Sequence, residues 1–152
     1  MAGSRRPGSP RRSRERRLAQ AARRVLAWER ARRTRVDITL LDAPAMQRLN
    51  RRATGRRRLT DVVSFTLPQP DGSVLGDIYI CPAAAERWVR ATRNAPRATG
   101  RGAVEAELVR LAVHGTLHVL GYDHPAGERR TRSAMWRRQE RYVRRLAAGG
   151  LA

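Results

Sequence analysis

The chain has 152 residues and a formal net charge of +20, and no apolar run in it is long enough to span a membrane. Hydrophobic residues make up 41%, enough for a globular core, but aromatics only 5%, so Leu, Val and Ala must carry the packing. The lone cysteine, Cys81, excludes an intrachain disulfide.

All 33 basic side chains are arginine. That charge attracts phosphates whatever its origin, although arginine without lysine also marks GC-rich codon usage. No hydrophobic signal core stands at the N-terminus, and the expectation is a soluble, cytoplasmic protein with no membrane partner.

In chain order, residues 1–17 are rich in Arg, Ser, Pro and Gly and read as a disordered basic arm. Two roles stay open for it: a solubilising tail, or a non-specific RNA contact. Residues 18–148 are expected to form a single domain. Apolar residues at helical spacing predict a helix over 18–33. The β-branched alternation of 36–41 predicts a strand. Asp42 caps a helix that has Pro44 in its first turn and Met46 and Leu49 inward. A basic loop, 51–58, surrounds Gly55. Residues 60–67 and 74–81 read as strands of an antiparallel hairpin. Pro82 opens a helix with Trp88 and Val89 inward. After a loop at 94–102 comes an apolar helix, 104–120. A last helix is expected over 128–146, with Met135, Trp136, Tyr142, Val143 and Leu146 at apolar spacing. This order describes an α+β fold: a small mixed sheet covered by helices, with a metal-bearing helix and its return loop at a cleft.

The apolar helix carries the chemistry. His114 and His118 lie four apart, on one face and about 6 Å apart along the axis. Gly121 supplies a left-handed residue that ends the helix and returns His124 as a third ligand. Three neutral imidazoles with an open fourth position suit a catalytic metal. One Zn2+ per chain is the default, and other divalent transition metals fit too. The same spacing of His, His, Gly and His occurs in metzincin proteases, but Gly115 stands where those enzymes place a Glu base. Cys81 reads as a small buried residue, with a ligand role as the alternative. Asp123 either orients a ligand imidazole from behind or caps a turn. Tyr122 either packs in the core or contacts substrate. Glu105 and Glu107 complement the helix dipole.

His114-Gly115-Thr116-Leu117-His118-Val119-Leu120-Gly121-Tyr122-Asp123-His124 resembles the signature H-G-x-L-H-L-x-G-Y-D-H of the YbeY family. Leu49-Asn50, Thr60-Asp61-Val62-Val63-Ser64-Phe65 and Gly76-Asp77-Ile78-Tyr79-Ile80 resemble that family's other motifs, and Met135 and Glu140 resemble residues of its last helix. The resemblance covers residues 36–146. It implies a bacterial metal-dependent endoribonuclease, specific for single strands. Such an enzyme matures the 3′ end of small-subunit ribosomal RNA, with RNA and the small ribosomal subunit as partners. The chain departs from the family where Thr54 replaces an Arg thought to be catalytic and Ala53 replaces a Tyr. Two readings stay open for the arginines of the same loop: Arg56, Arg57 or Arg58 substitutes as a phosphate stabiliser, with Arg56 and Arg57 the first candidates, or the loop is simply solvated. The attacking group is either the RNA 2′-hydroxyl or a water activated by the metal. The alternatives are a non-catalytic ribosome assembly factor with a structural metal and, further off, a metalloprotease.

Overall fold

The computed structural model describes residues 8–92 and 101–151. The elements run α1 (Pro10–Trp28), β1 (Thr34–Leu40), α2 (Ala43–Thr54), β2 (Val62–Pro68), β3 (Val74–Ile80), α3 (Pro82–Ala91), α4 (Arg101–Val119), a 3-10 helix (Gly127–Arg132) and α5 (Ala134–Ala148).

The three strands form one mixed sheet in the order β1-β3-β2. β1 lies parallel to β3, and β2 pairs with β3 antiparallel, as expected of the hairpin. The pairings Ile38↔Ile78, Leu40↔Ile80 and Val62↔Ile80 put these side chains on one face. α1 packs on β1 and on α4, and α4 packs on β2 and β3. The core gathers Leu18, Val25, Ile78, Ile80, Leu108, Val113, Leu117 and Leu146, each at most 2% exposed.

Four expectations change. The expected basic arm is helical from Pro10, with Ser9 as its N-cap and Pro10 in the first turn. Tertiary contacts hold this extension. Arg11 Nη2 donates to the Leu40 carbonyl at 2.6 Å, Glu15 Oε1 accepts the Leu40 N–H at 3.0 Å, and Arg14 Nε donates to Glu105 at 2.8 Å. Residues 1–7 of the arm lie outside the described residues. α1 also ends at Trp28, short of residue 33. Trp88 is 50% exposed rather than inward. In α3, Ala85 is buried and Val89, one turn on, is half-buried, and Trp88 stands roughly 60° from Ala85 and 100° from Val89, on the side turned to solvent. The last helix is interrupted. Ser133 ends the 3-10 segment and starts α5, its hydroxyl accepting the Trp136 N–H at 3.1 Å.

Candidate metal centre

α4 lies tightly on the sheet because two glycines leave room for it. A Cβ on Gly115 would stand 2.9 Å from Ile78 Cγ2, and one on Gly76 would stand 2.6 Å from Val119 Cγ2. Position 115 therefore faces β3 with no space for a side chain. The protease base has no counterpart there, and substituting Glu would push α4 off its sheet.

One residue round the helix, His114 and His118 share a face. α4 then ends in a turn at Gly121, whose φ of 95° favours glycine. The Tyr122 N–H bonds to the Leu117 carbonyl at 3.0 Å, and the Gly121 N–H to the His118 carbonyl at 2.9 Å. The reversal brings His124 back. Its ring centroid lies 5.0 Å from that of His114 and 5.0 Å from that of His118, and those two are 4.6 Å apart. One nitrogen from each ring falls within 4.8 Å of the other two.

Each ring is held from behind. His114 Nδ1 meets Gln139 Oε1 at 2.7 Å, His118 Nδ1 meets the Tyr122 carbonyl at 3.0 Å, and His124 Nδ1 meets the Pro125 carbonyl at 3.0 Å. Carbonyl oxygens only accept, so the three Nδ1 atoms carry the protons and the three Nε2 lone pairs are bare. His114 Nε2 and His118 Nε2 nevertheless stand 3.0 Å apart with no proton to share. A cation between them resolves that conflict. Ligand nitrogens about 2.0–2.1 Å from a tetrahedral zinc lie roughly 3.3 Å from each other. The donor set thus fits a divalent metal ion.

The tautomer of His114 is fixed at a distance. Gln139, 1% exposed, donates from Nε2 to Glu140 Oε1 at 3.2 Å, which turns its own oxygen toward the imidazole. Arg110 holds Glu140 through two bonds, at 2.8 and 3.3 Å, and binds Glu107 at 3.0 Å. Burial pushes the Glu107 carboxyl up, with Arg110 opposing. Burial also lifts Glu140, but the Arg110 bonds outweigh it and the net direction is down. Burial pushes the His114 pKa down to about 4; the Gln139 bond opposes this, while charge on His118, His124 and Arg130 adds to it. His118 is lowered as well, chiefly by burial. Both rings are thus in their neutral, ligating form at neutral pH.

The other expected residues fall as follows. Asp123 Oδ1 accepts the His124 backbone N–H at 2.8 Å and bonds to no imidazole. Tyr122 gives its hydroxyl to Glu29 at 2.7 Å. α4 begins at Arg101, so Glu105 and Glu107 lie beyond its first turn; they pair instead with Arg14 and Arg110. Cys81 is a buried free thiol. Arg56 and Arg57 are exposed on the loop after α2, and neither side chain bonds to another described residue. The base of that loop is fastened: Asn50 Nδ2 donates to the Arg58 carbonyl at 2.8 Å, and the Arg56 N–H donates to Thr54 Oγ1 at 3.2 Å. Gln139 escaped sequence reasoning. Its signal was a polar residue one turn after Met135 in an otherwise apolar stripe.

A family model described as Endoribonuclease YbeY matches residues 9–147. The chain belongs to the YbeY family. An Endoribonuclease YbeY of Thermotoga maritima is 33% identical over 108 residues, 71% of this chain and 65% of that protein. The aligned stretch thus spans slightly less than two thirds of that relative. Another, from Chlorobium phaeovibrioides, is 35% identical over 136 residues, 89% of this chain and 84% of its own. The solution structure of TM1509 from Thermotoga maritima superposes with a TM-score of 0.62 at 28% identity, covering 94% of this chain and 87% of that one. The YbeY match begins at residue 9, next to the start of α1 and well before the first motif legible in the sequence. No helix among the described residues is long and apolar enough to cross a membrane.

Proposed function

We propose that this YbeY-family protein is a metal-dependent endoribonuclease that cuts single-stranded RNA in the maturation of ribosomal RNA. The observation that carries the reading is the convergence of three bare Nε2 atoms, each with its Nδ1 proton tied to a protein oxygen. When bound, a divalent ion, by preference zinc, supplies a Lewis acid for a phosphoryl oxygen. His114, His118 and His124 hold and orient it, and Gln139 and two main-chain carbonyls keep their rings aimed. Arg56 and Arg57 meet the charge that builds on the scissile phosphate from the loop fastened by Asn50. The 3′ end of small-subunit ribosomal RNA is the proposed target, the small subunit the proposed partner and the cytoplasm the proposed compartment.

A second reading has one observation behind it: Thr54 stands where the family's Arg would be. On that reading the protein is an assembly factor with a structural metal. Metal content and single-stranded RNA cleavage, measured for wild type, His118→Ala and Arg56→Ala/Arg57→Ala, separate the two. The endoribonuclease loses both metal and cleavage in the His118 variant, and loses cleavage with metal retained in the double Arg variant. Metal without cleavage by wild type, with ribosomal substrates supplied, would favour the assembly factor.

A further inference from the structure

The segment that follows His124 is strongly basic. Arg129, Arg130 and Arg132 lie in the 3-10 helix, and Arg137, Arg138, Arg141, Arg144 and Arg145 follow on α5. Several of these have work within the fold. Arg138 pairs with Glu29, and the Arg145 guanidinium lies 4.3 Å from the centroid of the Trp28 ring. Arg137, Arg141 and Arg144 are all exposed, and none forms a hydrogen bond or ion pair with a described residue, although the charge of Arg144 helps to lower the Glu140 carboxyl. Spaced four and three apart, they form one ridge along the helix. The carboxylate beside them, Glu140, is already held by Arg110.

This ridge lines a groove of about 610 Å3, and Trp136 lies in the same groove. Trp136 is half-buried, and the Arg130 guanidinium stands 5.6 Å from its ring centroid. The groove and the three-His cluster lie on opposite faces of the same turns of α5: Glu140, in the groove wall, accepts from Gln139, whose oxygen holds His114. A row of unpaired cations beside an aromatic face is the means by which proteins hold single-stranded nucleic acid without reading its sequence. The cations track the phosphates, and the ring stacks a base.

We propose that the groove formed by Trp136, Arg137, Arg141 and Arg144 on α5 binds single-stranded RNA outside the metal centre. Trp136, backed by Arg130, stacks a base, and the three arginines contact successive phosphates. The proposal rests on the endoribonuclease reading for its substrate, but it is tested by binding, which needs no cleavage.

The experiment measures equilibrium binding of a fluorescent single-stranded RNA across a salt series. It compares wild type, Trp136→Ala and the triple variant Arg137→Gln/Arg141→Gln/Arg144→Gln. Circular dichroism and metal content confirm that each variant is folded and loaded. Trp136→Ala is expected to weaken binding at least about 5-fold. The triple variant is expected to lower the slope of log affinity against log salt by about 2, since each single-strand phosphate contact contributes roughly 0.7. A folded triple variant with unchanged slope and affinity overturns the proposal, whether or not the wild type cleaves RNA. If instead poly-glutamate binds as tightly as RNA and loses affinity in the same variants, the groove is a docking face for acidic protein and the proposal also fails. Normal binding effects with no cleavage by any form would leave the groove assigned and the endoribonuclease reading refuted.

Discussion

Each imidazole of the cluster donates one N–H to a protein oxygen and keeps its other nitrogen bare. Two of the three oxygens are main-chain carbonyls, which no substitution removes. The third belongs to Gln139, and its replacement is the informative one. Gln139→Leu keeps the side chain's bulk and deletes the acceptor. The His114 ring then loses both its tautomer and its orientation. Metal affinity should fall about 10- to 100-fold, as for other partners that orient a metal ligand from behind. Competition with a chromogenic chelator reads this directly, and affinity equal to wild type would dismiss the positioning role. The histidines were legible in the sequence because helical spacing alone puts residues i and i+4 together. Gln139 was not, because the residue it serves lies 25 positions away.

At the scale of elements, Glu29 is the joint. It caps the end of α1, yet its carboxylate accepts from Tyr122 in the turn after α4 and from Tyr142 and Arg138 on α5. Tyr122 in turn offers the carbonyl that aims His118. Burial pushes the Glu29 carboxyl up, but the bonds from Tyr142, Tyr122 and Arg138 outweigh burial and hold it below its ordinary value of 4.5. A lowered folded-state pKa gives stability that is present in full above the ordinary carboxylate value. It is lost as pH falls through the lowered value. Glu29→Gln should therefore destabilise the fold by about 1.5–3 kcal/mol at neutral pH, typical of hydrogen bonds to a charged group. The gap in Tm between wild type and variant should close as the solution is acidified below that range. A gap independent of pH would show that the charge is not the source.

For the whole molecule, α1 does more than the sequence indicated. β1 is an edge strand, and the Leu40 N–H and C=O are both taken by side chains from the first turns of α1. The helix start thereby covers an edge that would otherwise be open to pairing with another chain. Deleting residues 1–17 should cost about 1.5–3 kcal/mol, because it removes charged partners from these groups and from Glu105. Urea denaturation of the truncated and full chains measures this. Equal midpoints would restore the view of the segment as a dispensable arm.

The sequence by itself determined the three-His cluster, the hairpin, the α+β order and the family resemblance. Each of these rests on local spacing, and local spacing is what a periodic backbone converts directly into geometry. Only the tertiary structure decided that residues 10–17 are helical, that Trp88 faces solvent, and that Gln139 of α5 reaches His114. It also supplied the reason for Gly115, which must be bare because Ile78 of β3 stands 2.9 Å from where its Cβ would be. In every one of these cases the deciding partner is remote in the chain, so no local pattern of residues could announce it.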